Sequence, residues 1–486
     1  MLDFNDISIQ RKILLSVSFI AILALSVVFI ATESISRHSI RSESFNKLTA
    51  IREMKAGQIE NYFSNINNQI QTLSEDLMVI SATKAFKTAY HNITEEIQPD
   101  KNQLQAWDQQ LTSYYDEEFL PRLQPNADEK VYRSNFMPLD QGIKILQSFF
   151  IASNPYPVGE KHRLTIPEMP GTFTEVHKQY HPIFRSYLEK FGYYDIFLID
   201  NETGHIIYSV FKEMDFATSL LSGPYQNSGL ARAFRAARNA SYPNFVTLID
   251  FEAYAPSYNA QASFTACPIF EGDQKIGVLI FQMPIDRING IMTNDNKWSE
   301  VGLGNSGETY IIGSDYRLRN QSRFLIEDKT NYLQMIRNIG LPESTIAKID
   351  NLNSSIGLQE VKTQGTEGAL NGETGERIIT DYRGVPVLSS YRPLNIPCVK
   401  WGILSEIDQT EAMEPLKRIR KSILFIVLAL IPFIMLSANL VARTITKRLD
   451  HLISAAQELA AGKLDAQLDT TGQDEIGELS ESFQKM

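Results

Sequence analysis

Two long runs without a charged residue constrain this chain more than any other feature: 13–31 (ILLSVSFIAILALSVVFIA) and 423–441 (ILFIVLALIPFIMLSANLV). At about 1.5 Å per residue each makes a helix of roughly 28 Å, enough to cross a bilayer core. Pro432 and Asn439 interrupt the second run, which a membrane helix accommodates when its neighbours satisfy the freed groups. The first run exceeds a usual signal-peptide core, and 30–33 (IATE) is a poor small-residue cleavage site, so it reads as an uncleaved anchor. Two spans divide the chain into 1–12, 13–31, a large segment 33–420 on one side of the membrane, 423–441 and 443–486. Arg11 and Lys12 before the first run and Arg443, Lys447 and Arg448 after the second fit cytoplasmic ends. Lys417, Arg418, Arg420 and Lys421 crowd the opposite flank, so charge alone does not fix the orientation.

The 486 residues suffice for about three folding units, and 20 Tyr with 26 Phe exclude a disordered chain. A net charge of -11 argues against nucleic acid as a partner. Cys267 and Cys398 form no CxxC and read as two buried thiols. After the first run, Ile59, Phe63, Ile66, Ile70, Leu73, Leu77 and Ile80 alternate at spacings of four and three, the seam of a long packed helix. Residues 98–140 are helical but irregular. From Tyr193 the pattern turns to strands: 193–200 (YYDIFLID), a turn at 201–204 and 205–211 (HIIYSVF) predict a hairpin. Helical sequence over 230–238 is followed by strands at 245–251, 262–270 and 276–282, a curved sheet with helices on one face. A second, smaller sheet is expected from 307–313, 385–392 and 399–406, with helix and loop between. In the tail, Ile445, Leu449, Leu452, Ala456 and Leu459 step as a heptad, Gly462 and Leu464 open a connector, and Ile476, Leu479, Phe483 and Met486 resume it.

An anchor, a long helix, two tandem sheet modules, a second span and a linker resemble the double Cache sensor domains of bacterial transmembrane receptors. The segments GYYDIFLIDNETGHIIYSVFKEMDFATSL, LIDFEAYAPSYNAQASFTACPIF and GETYIIGSD resemble a subgroup met in methyl-accepting chemotaxis receptors. The tail is similar to a HAMP signalling linker, with 474–477 (DEIG) at its second-helix start and Arg448 where many such helices carry proline. The fold class so implied is α+β: a helical stalk carrying two PAS-like modules, distal over about 150–290 and proximal over about 300–410, with two transmembrane helices and a HAMP linker. The resemblance implies a homodimeric receptor in the bacterial inner membrane, with 33–420 outside the cytoplasm and a small extracytoplasmic ligand, most simply in chemotaxis. The alternative is the sensor region of a histidine kinase or nucleotide cyclase whose catalytic domain follows Met486. The Arg-x-Trp-Tyr element that grips amino-acid carboxylates in such receptors does not occur in this sequence.

Residues 302–307 fit G-x-G-x-x-G, but helical sequence precedes them and a strand follows, the reverse of a dinucleotide site, so they read as a turn. His177 and His181 are spaced like helical metal ligands, yet no Glu lies one position after the first and Pro182 follows the second, so no metal and no cofactor is expected. With no G-x-S-x-G, P-loop or H-E-x-x-H, nothing argues for catalysis. A ligand pocket needs aromatic walls and a few convergent polar groups. Tyr208, Lys212, Asp215 and Tyr225 near the hairpin exit, with Asp250, Tyr254, Ser257, Tyr258 and Ser263 from the third and fourth strands, have that composition. Asp250 falls where the apolar strand ends, so it is expected at the sheet rim, seeking Lys212, water or a ligand cation. On that ground the expected ligand is a small amine-bearing or zwitterionic metabolite.

Overall fold

The computed structural model describes residues 7–462 and 472–485, without the side chain of Leu459. The first six residues, Leu464, Met486 and the Leu459 side chain, all part of the expectations above, lie outside the described residues. The chain forms two units, Ser44–Glu411 and Met1–Glu43 with Ala412–Met486.

Helix α1 (Ile9–Ser74) buries Ile59, Phe63, Ile66, Ile70 and Leu73, the expected seam. That seam does not continue through Leu77. The chain breaks after Ser74, and the Asp76 carboxylate accepts from the Met78 amide at 2.7 Å, capping a new helix, α2 (Leu77–Ile97). Leu77 is left exposed at the surface. Helix α3 (Lys101–Tyr114), opened by an Asp100/Gln103 capping box, passes through a π-turn at Tyr115–Phe119 into α4 (Leu120–Leu123). Helix α5 (Gln141–Gln147) also ends in a π-turn, Ser148–Ala152, and α6 (Thr172–Phe191) leads to the first sheet.

That sheet is antiparallel, in the order β2-β1-β5-β4-β3: β1 (Asp195–Asp200), β2 (Ile206–Ser209), β3 (Thr247–Tyr254), β4 (Ala260–Glu271) and β5 (Gln274–Gln282). The β1–β2 turn forms because Asp200 accepts from the amides of Glu202 and Thr203, both at 3.3 Å, and from the Thr203 hydroxyl at 2.5 Å, with Gly204 at φ 69°. Helix α7 (Gly229–Asn239) packs with Gly229 against Phe264, on the opposite face from Gly277, which meets Thr83 of α2. Helices therefore cover both faces rather than the single face expected, which is why every residue of β1 is buried.

After α8 (Ile285–Thr293) the second sheet runs β6-β9-β8-β7: β6 (Glu308–Ile312), β7 (Gly375–Thr380), β8 (Pro386–Pro393) and β9 (Gly402–Asp408). Helices α9 (Arg323–Glu327), α10 (Lys329–Asn338), α11 (Glu343–Leu352) and α12 (Gln364–Leu370) join β6 to β7. Cys267 is buried beside the Ser74 hydroxyl at 3.2 Å, whereas Cys398 is exposed, correcting the expectation of two buried thiols. Cys398 sits in the β8–β9 connection, where no layer covers it.

Helix α13 (Gln409–Ala412) ends the second sheet's unit, and α14 (Glu414–Ala460) and α15 (Glu475–Lys485) follow. Among the described residues, two helices are long and apolar enough to cross a membrane, Ile9–Ser74 and Gln409–Glu458. In their unit Glu33 pairs with Arg420 at 2.5 Å, and Gln10 donates to Asn439 at 3.2 Å. Arg448 pairs with Asp474 at 2.6 Å, tying the end of α14 to the residue before α15.

Candidate functional site

The first sheet's module collects buried ionisable groups at one end of β1. Asp195 opens that strand, and its Oδ1 accepts from the amides of Val210 at 2.8 Å and Phe211 at 3.1 Å, fixing the loop that leaves β2. The loop carries Lys212, Glu213 and Asp215 inward. Glu213 accepts from the Tyr194 and Ser257 hydroxyls, each at 2.8 Å, and Asp215 accepts a short bond from Tyr254. Asp195 Oδ2, Asp215 Oδ1 and the Tyr225 hydroxyl have no hydrogen-bond partner among the described residues.

Burial controls the charges. It holds the Asp195 carboxyl well above its ordinary range, aided by the negative charges of Asp215 and Glu213. Burial lifts Glu213 to about 7, with Asp215 adding to it, and Asp215 to about 6, against the hydrogen bond from Tyr254. Lys212 is pushed down to about 7 by burial, which outweighs the attraction of Asp195. Such displaced values beside a cavity mark candidate ligand sites.

Two cavities flank the cluster. A pocket of about 10 Å³, room for one water, lies beside Lys212, Gly159 and Tyr258. A far larger one, about 770 Å³, is lined by Tyr194, Phe211, Ser257, Gln282, Gln321 and Ile356, and so opens between the two sheets. Ser257, Tyr194 and Gln282 form its wall toward Glu213; Gln282 donates to Ser257 at 3.3 Å, and its buried Oε1 has no partner among the described residues.

Seven of the nine expected residues converge here: Tyr208, Lys212, Asp215, Tyr225, Tyr254, Ser257 and Tyr258. Tyr208 packs on Phe86 with ring centres 4.7 Å apart and meets His181 Nδ1 at 2.8 Å. Tyr225 lies 6.4 Å from the Tyr254 ring, and Tyr258 lies 6.0 Å from Phe119. Asp250 and Ser263 do not join them. Strand β3 continues past Ile249 through a bulge to Tyr254, and Asp250 makes a two-pronged pair with Arg319, at 2.8 and 2.9 Å. Asp250 therefore faces the second sheet's module, and the expected contact with Lys212 is replaced by one to the Ser209 carbonyl. Ser263 donates to the Ile249 carbonyl at 2.6 Å, within its own sheet. Asp195, Glu213 and Tyr194 escape the sequence reading; the signal for Asp195 is an acid inside an otherwise apolar buried strand, YYDIFLID.

His177 and His181 stack with ring centres 4.2 Å apart, and burial keeps both imidazoles neutral, with the Lys212 charge adding to the effect. His177 Nδ1 meets the Thr165 carbonyl at 2.9 Å and His181 Nε2 the His162 carbonyl at 2.7 Å. Among the described residues no group of three or more His, Cys, Asp or Glu is placed to hold a metal. The glycine-rich loop 302–307 has its donors taken: Asn305 N and Ser306 N each bind the Glu411 carboxylate at 2.8 Å, and the Ser306 hydroxyl adds a bond at 2.5 Å.

Residues 440–486 match the family model of the HAMP domain. Two sheet modules between two helices able to cross a membrane, followed by a HAMP domain, are the build of a transmembrane sensor that passes a signal along its own chain. Among solved structures, the chain is similar to the periplasmic sensory domain of the Campylobacter jejuni chemoreceptor Tlp1, at 12% identity and TM-score 0.37 over 77% of this chain and 99% of that one. It is also similar to the ligand-binding domain of the Pseudomonas aeruginosa amino acid chemoreceptor PctC in complex with GABA, at 12% identity and TM-score 0.30, covering 51% and 85%. A third is the ligand-binding domain of the Pseudomonas fluorescens chemoreceptor CtaA in complex with L-leucine, at 13% and 0.27, covering 46% and 73%. At these scores the likenesses assign neither ligand nor activity to this chain. No curated protein matches it.

Proposed function

We propose that the chain is a homodimeric, inner-membrane chemotaxis receptor. Residues 33–420 stand outside the cytoplasm, a small molecule binds in the module around β1–β5, and the HAMP domain relays the change. The observation that carries this reading is the cluster Asp195, Lys212, Glu213 and Asp215, set beside a cavity of about 770 Å³ on a chain that also holds a HAMP domain. Burying an ionisable group costs free energy whether it stays charged or is driven neutral, and a core has no need of four in one place. A ligand shifts a two-state receptor only by its differential affinity, about 1 to 3 kcal/mol in coupled sites.

The test uses the full chain in lipid nanodiscs, carrying Ile445→Cys on the apolar seam of α14. A metabolite screen by thermal unfolding should find a compound that raises the midpoint. The same compound should change the rate at which the two introduced thiols form a disulfide across the dimer. A stabilising compound that leaves that rate untouched, or crosslinking confined to Asp450→Cys on the opposite side of the helix, overturns the proposal.

A further inference from the structure

Lys212 occupies a setting that its role as one charge among four does not explain. It follows β2 with φ 58°, in the left-handed region that bulky residues avoid, and is only 2% exposed. Its ammonium lies 4.3 Å from the ring centre of Tyr208, 5.1 Å from Phe216 and 5.7 Å from Phe150. Three ring faces around one ammonium form an aromatic cage, the arrangement that recognises organic cations through the quadrupoles of the rings.

The cage is held by contacts other than those with Lys212. Tyr208 is wedged between Phe86 at 4.7 Å and Phe184 at 5.0 Å, and its hydroxyl is tied to His181. Phe150 sits in the π-turn at Ser148–Ala152, and its ring meets Phe173 and Phe216, each at 5.6 Å. π-Turns of this kind recur where a helix is bent to serve a site.

The ammonium itself is poorly served. It has three hydrogens to donate and bonds one carbonyl, that of Ser209, while Asp195 Oδ2, on the carboxyl group whose charge attracts it, has no donor among the described residues. The cluster is therefore short of cationic donors while its one central cation is held on the rings. The small cavity lined by Gly159 and Tyr258 also has Lys212 in its wall, so the residue that fills the cage borders a space with room for one water.

We propose that this three-ring cage is a subsite for the alkylammonium group of a small ligand, and that Lys212 is a tethered occupant which such a ligand displaces. This rests on the receptor reading above and names the ligand class for it. The sequence alone points to amine recognition at Asp250, which Arg319 neutralises; the cage places it elsewhere, on different residues. Displacement frees the Lys212 ammonium to reach the unpartnered Asp195 Oδ2, so the exchange gives Lys212 a carboxyl partner and leaves the rings to the incoming cation. A neutral molecule of the same shape gains neither contact.

n-Butylammonium reproduces the lysine side chain beyond Cα and is the probe, with butan-1-ol as the uncharged control. In the full-length Lys212→Ala protein in nanodiscs, millimolar n-butylammonium should raise the unfolding midpoint by several degrees, while butan-1-ol leaves it unchanged. The wild-type chain should need at least tenfold more amine for the same shift, because Lys212 competes. Equal responses to amine and alcohol, or equal amine requirements in the two proteins, overturn the proposal. If Lys212→Ala does not fold, calorimetric titration of wild type and Phe216→Leu with n-butylammonium decides: a tenfold or greater loss supports the cage and equal affinity overturns it. A different metabolite that stabilises the wild type and both variants alike removes the cage and leaves the receptor reading standing.

Discussion

Asp215 is fully buried, and burial lifts its carboxyl to about 6 although Tyr254 donates to it. An acid that holds its proton more tightly when folded than when unfolded, where its value is near 3.9, makes stability fall as pH rises through the interval between them. Relative to Asp215→Asn, which keeps the bond from Tyr254, the wild type should lose on the order of 3 kcal/mol between about pH 4 and pH 7. Denaturant unfolding of both proteins across that range measures it, and a constant difference refutes the assignment. Asp250 yields a contrasting expectation. Arg319 is 3% exposed and, if Asp250 were lost, would keep one carboxylate, that of Asp315 at 2.8 Å, and the Arg317 carbonyl at 3.0 Å. Asp250→Ala should cost roughly 1 to 3 kcal/mol of stability and leave the affinity of any ligand in the first module within twofold; a tenfold loss of affinity would place Asp250 in the site after all. Residue chemistry is partly legible in the sequence. The tyrosines and the KEMD segment stand out as polar groups at a strand exit, but Asp250 reads identically, because its partner Arg319 lies far along the chain. Only the fold shows that the two meet.

Among the elements, those whose apolar spacing is clean match expectation, and the exceptions have physical causes. Strand β7 (GERIIT) reads as loop because it is an edge strand with one buried residue, Ile379, and so shows no alternation. The break between α1 and α2 is hidden in the sequence because the spacing of four and three runs on through Leu77 and Ile80, although the residue fully buried after the break is Val79. Asp76 decides the matter through one capping bond. Asp76→Ala should cost about 1 kcal/mol, as loss of a helix cap does, and Asp76→Asn about half as much or less. Matched thermal unfolding of the two variants checks this, and identical behaviour of both would mean that tertiary packing alone positions α2. The two π-turns are not visible either, since their sequences, YDEEF and SFFIA, contain no Pro or Gly to mark an irregular turn.

For the molecule as a whole, the two apolar runs and the tail heptad carry most of what can be read from sequence, and both survive as helices. The orientation does not follow from it, because basic residues flank the second run on both sides. The exposed Cys398 offers a direct test. In intact spheroplasts a membrane-impermeant maleimide should label the native protein and not Cys398→Ser, since Cys267 is buried. Absence of labelling in intact cells, with labelling after lysis, places residues 33–420 in the cytoplasm and defeats the topology. One further feature bears on how such a protein would signal. The loop at 302–307 grips Glu411 by two amides and a hydroxyl, and Arg323 braces the loop from behind through the carbonyls of Gly304 and Gly307. The residue so gripped is the last of the folded unit before the chain runs on toward α14. In mechanical language that last residue is clamped rather than hinged: where the loop sits, Glu411 sits, with two amides and a hydroxyl holding its carboxylate to the unit's own frame.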